Sequence, residues 1–118
     1  MNIITLILKP ALRRKFELEQ IFSVLFKANT IEDTLILEGK GIDKKGNEIN
    51  VTCEPLKLTE NKQYLDIFEQ NLKTNGLIYS SLNVIYMNID FSNKKINTEV
   101  YYTNIEGKKL KQNLTQKL

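Results

Sequence analysis

This sequence of 118 residues contains no histidine, no tryptophan and only one cysteine. The absence of histidine removes the side chain that proteins use most often as a general base and as a metal ligand. The single cysteine, Cys53, excludes an internal disulfide, and no histidine is present to activate it as a nucleophile. Cys53 lies in a strand-like run, so a buried and inert thiol is the expected state. These absences argue against an enzyme, and we expect neither a metal site nor a cofactor.

Long apolar runs and glycine-rich phosphate motifs are also missing. The longest apolar stretch, residues 3–8, is interrupted by Thr5 and is too short to span a membrane. No basic residue precedes it, as one would in a secretory signal peptide. Neither a GxGxxG fingerprint nor a P-loop motif occurs. We therefore expect a cytoplasmic protein without membrane association, and the length predicts a single domain over residues 1–118.

Two pairs of carboxylates lie close enough in sequence to be candidate catalytic pairs. Asp66 and Glu69 lie three residues apart in a predicted helix, and Glu17 lies near Glu19. Neither pair is accompanied by a histidine, a cysteine or a recognisable motif. Solvated helix faces explain both pairs better. A glutamate or lysine base stays open as an alternative, but the expectation is a protein without catalytic residues.

The most informative stretch, residues 77–114, predicts a β-meander. Apolar and polar residues alternate on both sides of a turn at residues 92–95, as in half-buried antiparallel strands. A two-residue loop at Asn93-Lys94 would pair Phe91 with Ile96, Ile89 with Thr98, Met87 with Val100 and Ile85 with Tyr102. All of these side chains then lie on one face, whereas a slip of one residue would divide them between two faces.

The polar face and the tail of this meander carry two further predictions. Tyr86 and Tyr101 should stand side by side on the polar face. A turn at residues 105–107, with Gly107 in a left-handed conformation, would oppose Leu110 to Tyr102 and Leu114 to Thr98. The spacing of leucines in residues 108–118 also fits a short helix, but we favour a strand.

The preceding part of the chain predicts two helices and a hairpin. Residues 2–8 are expected to form a strand, and a helix that begins near Pro10 is expected to run to about Ala28. A hairpin over residues 34–42 and 48–54 follows, with Gly39 and Gly41 explained by a β-bulge or by the close approach of a ligand. A second helix is expected between an N-cap at Thr59 and a stop at residues 75–76.

Together these elements predict an α+β fold. Their order is β-α-β-β-α-β-β-β, which forms an antiparallel sheet from the meander and the hairpin. Both helices carry an apolar stripe, and packing the two helices on one face of the sheet would bury both stripes.

The charge is modest and unevenly distributed. The net charge is +3, and all of this excess comes from residues 77–118. Residues 31–60 are acidic, with 7 carboxylates against 4 lysines. Lysine outnumbers arginine 15 to 2, and asparagine and isoleucine are abundant. This composition is typical of AT-rich coding, which weakens an argument from lysine to nucleic acid.

A lone α+β domain of this size, without catalytic residues and with an acidic hairpin, resembles the immunity proteins of bacterial contact-dependent growth inhibition and related polymorphic toxin systems. In that family the small protein binds the toxin domain of its own system, often a nuclease, and blocks it. The resemblance lies in the character of the whole chain and assigns no individual residue. One feature departs from the family, since many immunity proteins to basic nucleases are acidic overall.

The interpretation that follows is a protein-binding immunity protein that occludes a toxin domain without performing chemistry. Acidic patches steer basic partners, and tyrosine is enriched at interface hot spots. The expected partner-binding residues are Asp33, Glu38, Glu48, Glu54, Tyr86 and Tyr101.

Two other interpretations stay open. One is a small nucleic-acid-associated protein that uses the basic region of residues 94–117, namely Lys94, Lys95, Lys108, Lys109 and Lys111. We favour it less because its lysines fall largely at turns and in the tail. The other is a homodimer or larger self-assembly that pairs through sheet edges or through the tyrosine face.

Overall fold

The structure, a computed structural model that describes residues 4–118, contains two helices and one six-stranded sheet. A π-helical turn (Ile4–Leu8) leads into α1 (Lys9–Lys15), and strands β1 (Leu18–Asn29), β2 (Thr34–Asp43) and β3 (Glu48–Thr52) follow. A 3₁₀ turn (Leu58–Glu60) precedes α2 (Lys62–Thr74), which is followed by β4 (Ser81–Asp90), β5 (Lys95–Thr103) and β6 (Lys109–Lys117). The strands are antiparallel in the order β3-β2-β1-β4-β5-β6. The α+β fold with an antiparallel sheet is therefore confirmed.

One face of the sheet carries the hydrophobic core. Its fully buried side chains alternate along the strands and include Val24, Phe26, Leu35, Leu37, Ile85, Met87, Ile89 and Val100. Helix α2 places Phe68 against Phe26, with ring centroids 5.5 Å apart. Phe16, which follows the last residue of α1, lies directly above Gly39. Both helices thus cover the same face, which leaves the opposite face of the sheet open.

The first two elements differ from the sequence prediction. Of the strand expected at residues 2–8, residues 2 and 3 lie outside the described residues, and Ile4–Leu8 is a π-helical turn. The helix expected to reach Ala28 ends at Lys15, and the residues from Leu18 to Asn29 form β1. The observed order is therefore α-β-β-β-α-β-β-β. Since β1 pairs with both β2 and β4, its hydrogen bonds across the sheet replace those of a helix.

Two irregularities in β1 explain why its sequence resembles a helix. The register with β2 shifts between Leu18 and Gln20 and again between Ile21 and Ser23. Each shift inserts an extra residue into β1, as a β-bulge does. As a result Leu18, Ile21 and Val24 are buried at intervals of three residues, a spacing that is typical of a helix stripe.

The hairpin and the second helix are confirmed. The hairpin consists of β2 and β3, and β3 ends at Thr52 rather than at residue 54. Helix α2 begins at Lys62, so Thr59 lies in the 3₁₀ turn and is not its N-cap. Pairing of β2 with β3 is continuous, because the bulges lie in β1. The ring of Phe16 occupies the space beside Gly39, and the backbone carbonyl of Gln20 occupies the space beside Gly41. The two glycines are therefore explained by these close contacts and not by the approach of a ligand.

The meander is confirmed, but the predicted register between β4 and β5 is wrong by two residues. Ile89 pairs with Ile96, and Asp90 pairs with Lys95. The turn therefore has four residues, and it is held by the Asp90 carboxylate, which accepts hydrogen bonds from the side chain and backbone N–H of Asn93. These two hydrogen bonds lower the pKa of Asp90. A shift of two keeps each side chain on its predicted face.

The second hairpin of the meander has the predicted register. Leu110 pairs with Tyr102 and Leu114 pairs with Thr98, so the tail is a strand. Gly107 adopts φ 82° in the turn, in the left-handed region that glycine enters without steric cost.

Asp33 fastens the segment that follows β3 to the turn between β1 and β2. Its carboxylate accepts hydrogen bonds from the backbone N–H and the hydroxyl of Thr59, both at 2.8 Å. These bonds, the backbone one first, hold the pKa of Asp33 below its ordinary value of 3.8. The contribution of Asp33 to stability is present above that value and is lost as the pH falls through the lowered pKa.

We expect Asp33→Asn to lower the melting temperature at pH 7, because the amide removes the charge that strengthens both hydrogen bonds. The difference from the parent protein should shrink as the pH falls through the lowered pKa of Asp33, because the parent carboxylate is then protonated too. Thermal unfolding followed by circular dichroism at pH 7 and pH 2.5 measures both effects. Glu32→Gln, one residue away and exposed, is the control. A difference of the same size at both pH values would contradict the assignment.

Candidate functional site

The open face of the sheet is the candidate functional site. It consists of the side chains that alternate with the buried ones on all six strands. The register of neighbouring strands aligns these side chains in rows that cross the sheet. One row runs through Glu38, Leu25, Asn88, Asn97 and Thr115, and the next through Ile36, Lys27, Tyr86, Glu99 and Asn113. This surface is polar, with carboxamides and hydroxyls at its centre and few apolar side chains.

A shallow depression of about 440 Å³ lies near the middle of this face. It is lined mainly by Leu25, Tyr86, Asn88, Asn97, Glu99 and Asn113. Asparagine side chains can both donate and accept hydrogen bonds, and tyrosine combines an apolar ring with a hydroxyl. The depression can therefore receive a polar group of a partner and pack against an aromatic edge at the same time.

Tyr86 and Tyr101 lie side by side on the open face, as predicted, but they are not directly opposite each other. Tyr86 is directly opposite Glu99, and Tyr101 is opposite Val84. The two rings are diagonal neighbours in an edge-to-face arrangement, with centroids 6.4 Å apart. Tyr86 is 37% exposed, so its ring is available to a partner.

Two ion pairs compensate charges on the open face. Lys27 donates to Glu38 at 2.8 Å, and Lys111 donates to Glu99 at 2.7 Å. The Lys111 ammonium also lies 5.7 Å from the centroid of the Tyr101 ring. The hydrogen bond from Lys111 holds the pKa of the Glu99 carboxyl below its usual range, and Glu99 raises the pKa of Lys111. Exposed pairs of this kind stabilise a fold little, but they orient the side chains that a partner meets.

The structure separates the other carboxylates from this centre. Glu48 is on the open face but pairs with Ile42 at the far end of the β2–β3 hairpin, about 20 Å along the strands from Tyr86. Glu54 follows β3 and is exposed. Asp33 is engaged by Thr59. Of the six predicted residues, Glu38, Tyr86 and Tyr101 are brought into one region, and the acidic patch expected over residues 31–60 is dispersed.

The asparagine side chains that line the depression were not among the predicted partner-binding residues. Asn88, Asn97 and Asn113 occupy polar positions in the period-two pattern of β4, β5 and β6. The pattern predicts which face they share, so it could have identified them once the register was known. They were not singled out because asparagine has no charge and belongs to no catalytic motif.

Two grooves border α2 on the other face. One, of about 560 Å³, is lined by Asp66, Glu69 and Tyr79 among others. Burial, followed by the nearby Glu69 carboxylate, raises the pKa of Tyr79. The other, of about 380 Å³, lies over Asn71, which donates to the side chain of Gln116 and accepts from the hydroxyl of Thr98. These bonds hold α2 on β5 and β6, which is a structural role.

Among residues 4–118, no group of three or more acidic or cysteine side chains is arranged to hold a metal ion. Within the same range, no helix combines the length and apolar content required to cross a membrane. Cys53 is half-buried, and its sulfur accepts a hydrogen bond from the backbone N–H of Leu37 at 3.3 Å. Comparison of the chain with protein families, with curated proteins and with solved structures found no match.

Proposed function

We propose that this chain is a non-catalytic immunity protein that acts in the cytoplasm. Its open sheet face binds a cognate bacterial toxin domain, expected to be a nuclease, and blocks that domain sterically. The observation that carries the proposal is the open face itself. Both helices lie on the opposite side, so a surface six strands wide is available to a partner.

The side chains of the open face favour a protein partner. Exposed aromatic rings surrounded by groups with hydrogen-bonding capacity are typical of the centre of a protein interface. Tyr86 supplies a ring within the depression, where Asn88 and Asn97 supply donors and acceptors, and the ring of Tyr101 packs edge-to-face against that of Tyr86. Because Glu38 and Glu99 are paired with lysines, they would add directed hydrogen bonds rather than a strong negative field.

Capture of the partner tests this function. The tagged chain is expressed in its source organism, washed at moderate salt after nuclease treatment, and its partners are identified by mass spectrometry. We expect one stoichiometric partner whose toxic domain arrests growth when expressed alone and is neutralised when this chain is co-expressed. If the captured partner is not toxic, or if co-expression does not protect, the immunity function is wrong.

We expect Tyr86→Ala and Tyr101→Ala each to weaken binding of that partner by about 30-fold, the loss typical of an interface hot spot. Isothermal titration calorimetry measures the affinity, and circular dichroism confirms that each variant is folded. Ile78→Ala is the matched control, because Ile78 is 68% exposed and lies beside α2, away from the open face. Equal affinities for both tyrosine variants and the control would rule out the open face as the binding site.

One observation favours a nucleic-acid partner as the second candidate. The structure places Lys109, Lys111 and Lys117 on the same face as the tyrosines. Aromatic rings with flanking cations can bind single strands by stacking and by neutralising phosphates. Such binding should fall steeply with salt concentration. Lack of retention of a labelled single-stranded oligonucleotide at 50 mM salt would dispose of this candidate.

A further inference from the structure

Strand β6 forms one edge of the sheet, and the hydrogen bonds at its two ends show which of its backbone groups face β5. The N–H of Asn104 donates to the carbonyl of Lys108 at 2.8 Å, and the N–H of Leu118 donates to the carbonyl of Lys94 at 2.9 Å. In an antiparallel ladder, hydrogen-bonded pairs recur at every second residue. The continuous register between β5 and β6 thus directs the even-numbered residues of β6 toward β5.

The odd-numbered residues of β6 direct their backbone N–H and C=O groups away from β5, toward the outer edge. They are Lys109, Lys111, Asn113, Thr115 and Lys117. Among residues 4–118, β6 pairs with β5 alone, without a bulge over nine residues, and it contains no proline. This edge is therefore an uninterrupted row of five donors and five acceptors about 27 Å long. The other edge strand, β3, has only five residues.

The side chains of β6 set the chemistry of a strand that could pair with it. Residues 107–118 contain four lysines and no carboxylate. Lys109 and Lys117 are exposed, and neither forms an ion pair within residues 4–118. On the opposite face, Leu110 is 38% exposed and Leu114 is half-buried. A complementary strand would alternate acidic residues on the lysine side with apolar residues on the leucine side.

A second copy of this chain fits the edge poorly. Antiparallel pairing of two β6 strands about Asn113 would place Lys109 of each chain opposite Lys117 of the other. Like charges that are directly opposite on neighbouring strands destabilise pairing. Lysines on an edge are a known protection against such self-association.

We propose that the free edge of β6 binds an extended acidic segment of a partner protein, which joins the sheet as a seventh strand. Backbone hydrogen bonds to the odd-numbered residues would supply the affinity, and the lysines and leucines would select alternating acidic and apolar side chains. This edge is distinct from the centre of the open face, and the inference does not depend on the immunity function.

The experiment uses a capped nonapeptide of alternating glutamate and valine as the probe and a lysine-valine peptide as its counterpart. Nuclear magnetic resonance titration at low salt should show saturable binding of the glutamate peptide alone. Amide exchange should slow at residues 109, 111, 113, 115 and 117, whereas the even-numbered amides, already bonded to β5, should change little. The Tyr86→Ala variant should bind the peptide as the parent does. Failure of the edge proposal can therefore be distinguished from failure of the open-face proposal.

Two variants and one matched control sharpen the test. Lys109→Glu with Lys117→Glu should weaken binding at least about tenfold, because two attractions become repulsions. Lys44→Glu with Lys45→Glu makes the same charge change in the exposed β2–β3 turn and should have little effect. Asn113→Pro should abolish binding while the fold persists, because its N–H points outward and proline is tolerated at such an edge position.

Three results would overturn the proposal. The first is no saturable binding at millimolar peptide, and the second is equal binding of both peptides. The third is a dimer of the parent protein in light scattering that Asn113→Pro dissociates, which would assign the edge to a second copy of the chain.

Discussion

Replacing Phe26 with alanine is expected to lower the free energy of unfolding by about 3–5 kcal/mol, the range for truncating a buried phenylalanine. Phe26 is completely buried in the central strand β1. Its ring lies 5.5 Å from that of Phe68 and 5.6 Å from that of Tyr64, both in α2. Truncation removes these contacts and leaves a cavity between the sheet and the helix. Since a domain of this size is stable by about 5–15 kcal/mol, this loss is a large fraction of the total stability.

Urea unfolding monitored by circular dichroism measures this loss, and Tyr86→Ala is the matched control. Tyr86 is an aromatic residue of the neighbouring strand β4, but its side chain lies on the open face. Its truncation should change the free energy of unfolding by at most about 1 kcal/mol. Similar losses for the two variants would contradict the assignment of one buried and one open face.

Replacing Gly41 with alanine is expected to destabilise the fold by about 3 kcal/mol, which is large for the addition of one methyl group. A Cβ atom at this position would lie 2.0 Å from the backbone carbonyl oxygen of Gln20. A backbone atom cannot rotate away as a side chain can, so the bulged part of β1 must move. That movement would weaken pairing at the positions where the register of β1 with β2 shifts.

Differential scanning calorimetry of Gly41→Ala and of Lys40→Ala checks this second prediction. Lys40 is the preceding residue and is exposed, so its truncation should change stability by at most about 0.5 kcal/mol. A Gly41→Ala variant as stable as Lys40→Ala would mean that β1 accommodates the methyl group without strain.

The two proposed binding surfaces have a common structural origin. The sheet is covered by helices on one face only, and one of its edges is a long, regular strand. The open face presents tyrosine and asparagine side chains, whereas the edge of β6 presents backbone groups and lysines. A partner that pairs with the edge could extend the sheet and also reach the tyrosines, so the two surfaces can act together.

Much of the second half of the fold could be predicted from its sequence. Strands β4 and β5 alternate apolar and polar residues without interruption over most of their length, and this pattern determines which side chains share a face. The loop containing Gly107 also predicted the pairing of β5 with β6. The length of the turn between β4 and β5 was not predictable by the same route, because registers that differ by two residues bury the same side chains.

The spacing of apolar residues in β1 led to the wrong prediction of a helix. Two bulges interrupt its period of two, so its buried residues are spaced like those of a helix. Leu25 and Phe22 add apolar side chains on the other positions, which strengthens the resemblance. Only the presence of β2 on one side and β4 on the other selects a strand, because pairing on both sides satisfies the backbone of β1 across the sheet.

The α+β class, the hairpin, α2 and the division of the meander into an apolar and a polar face follow from the amino-acid sequence alone. These features depend on contacts between residues that are near in the chain. Long-range contacts make β1 a central strand and β6 an edge strand. They also bring Thr59 to Asp33 and place Tyr86 and Asn88 around one depression. Each of these depends on which distant strands become neighbours, and that is set by burial of the whole core rather than by local periodicity.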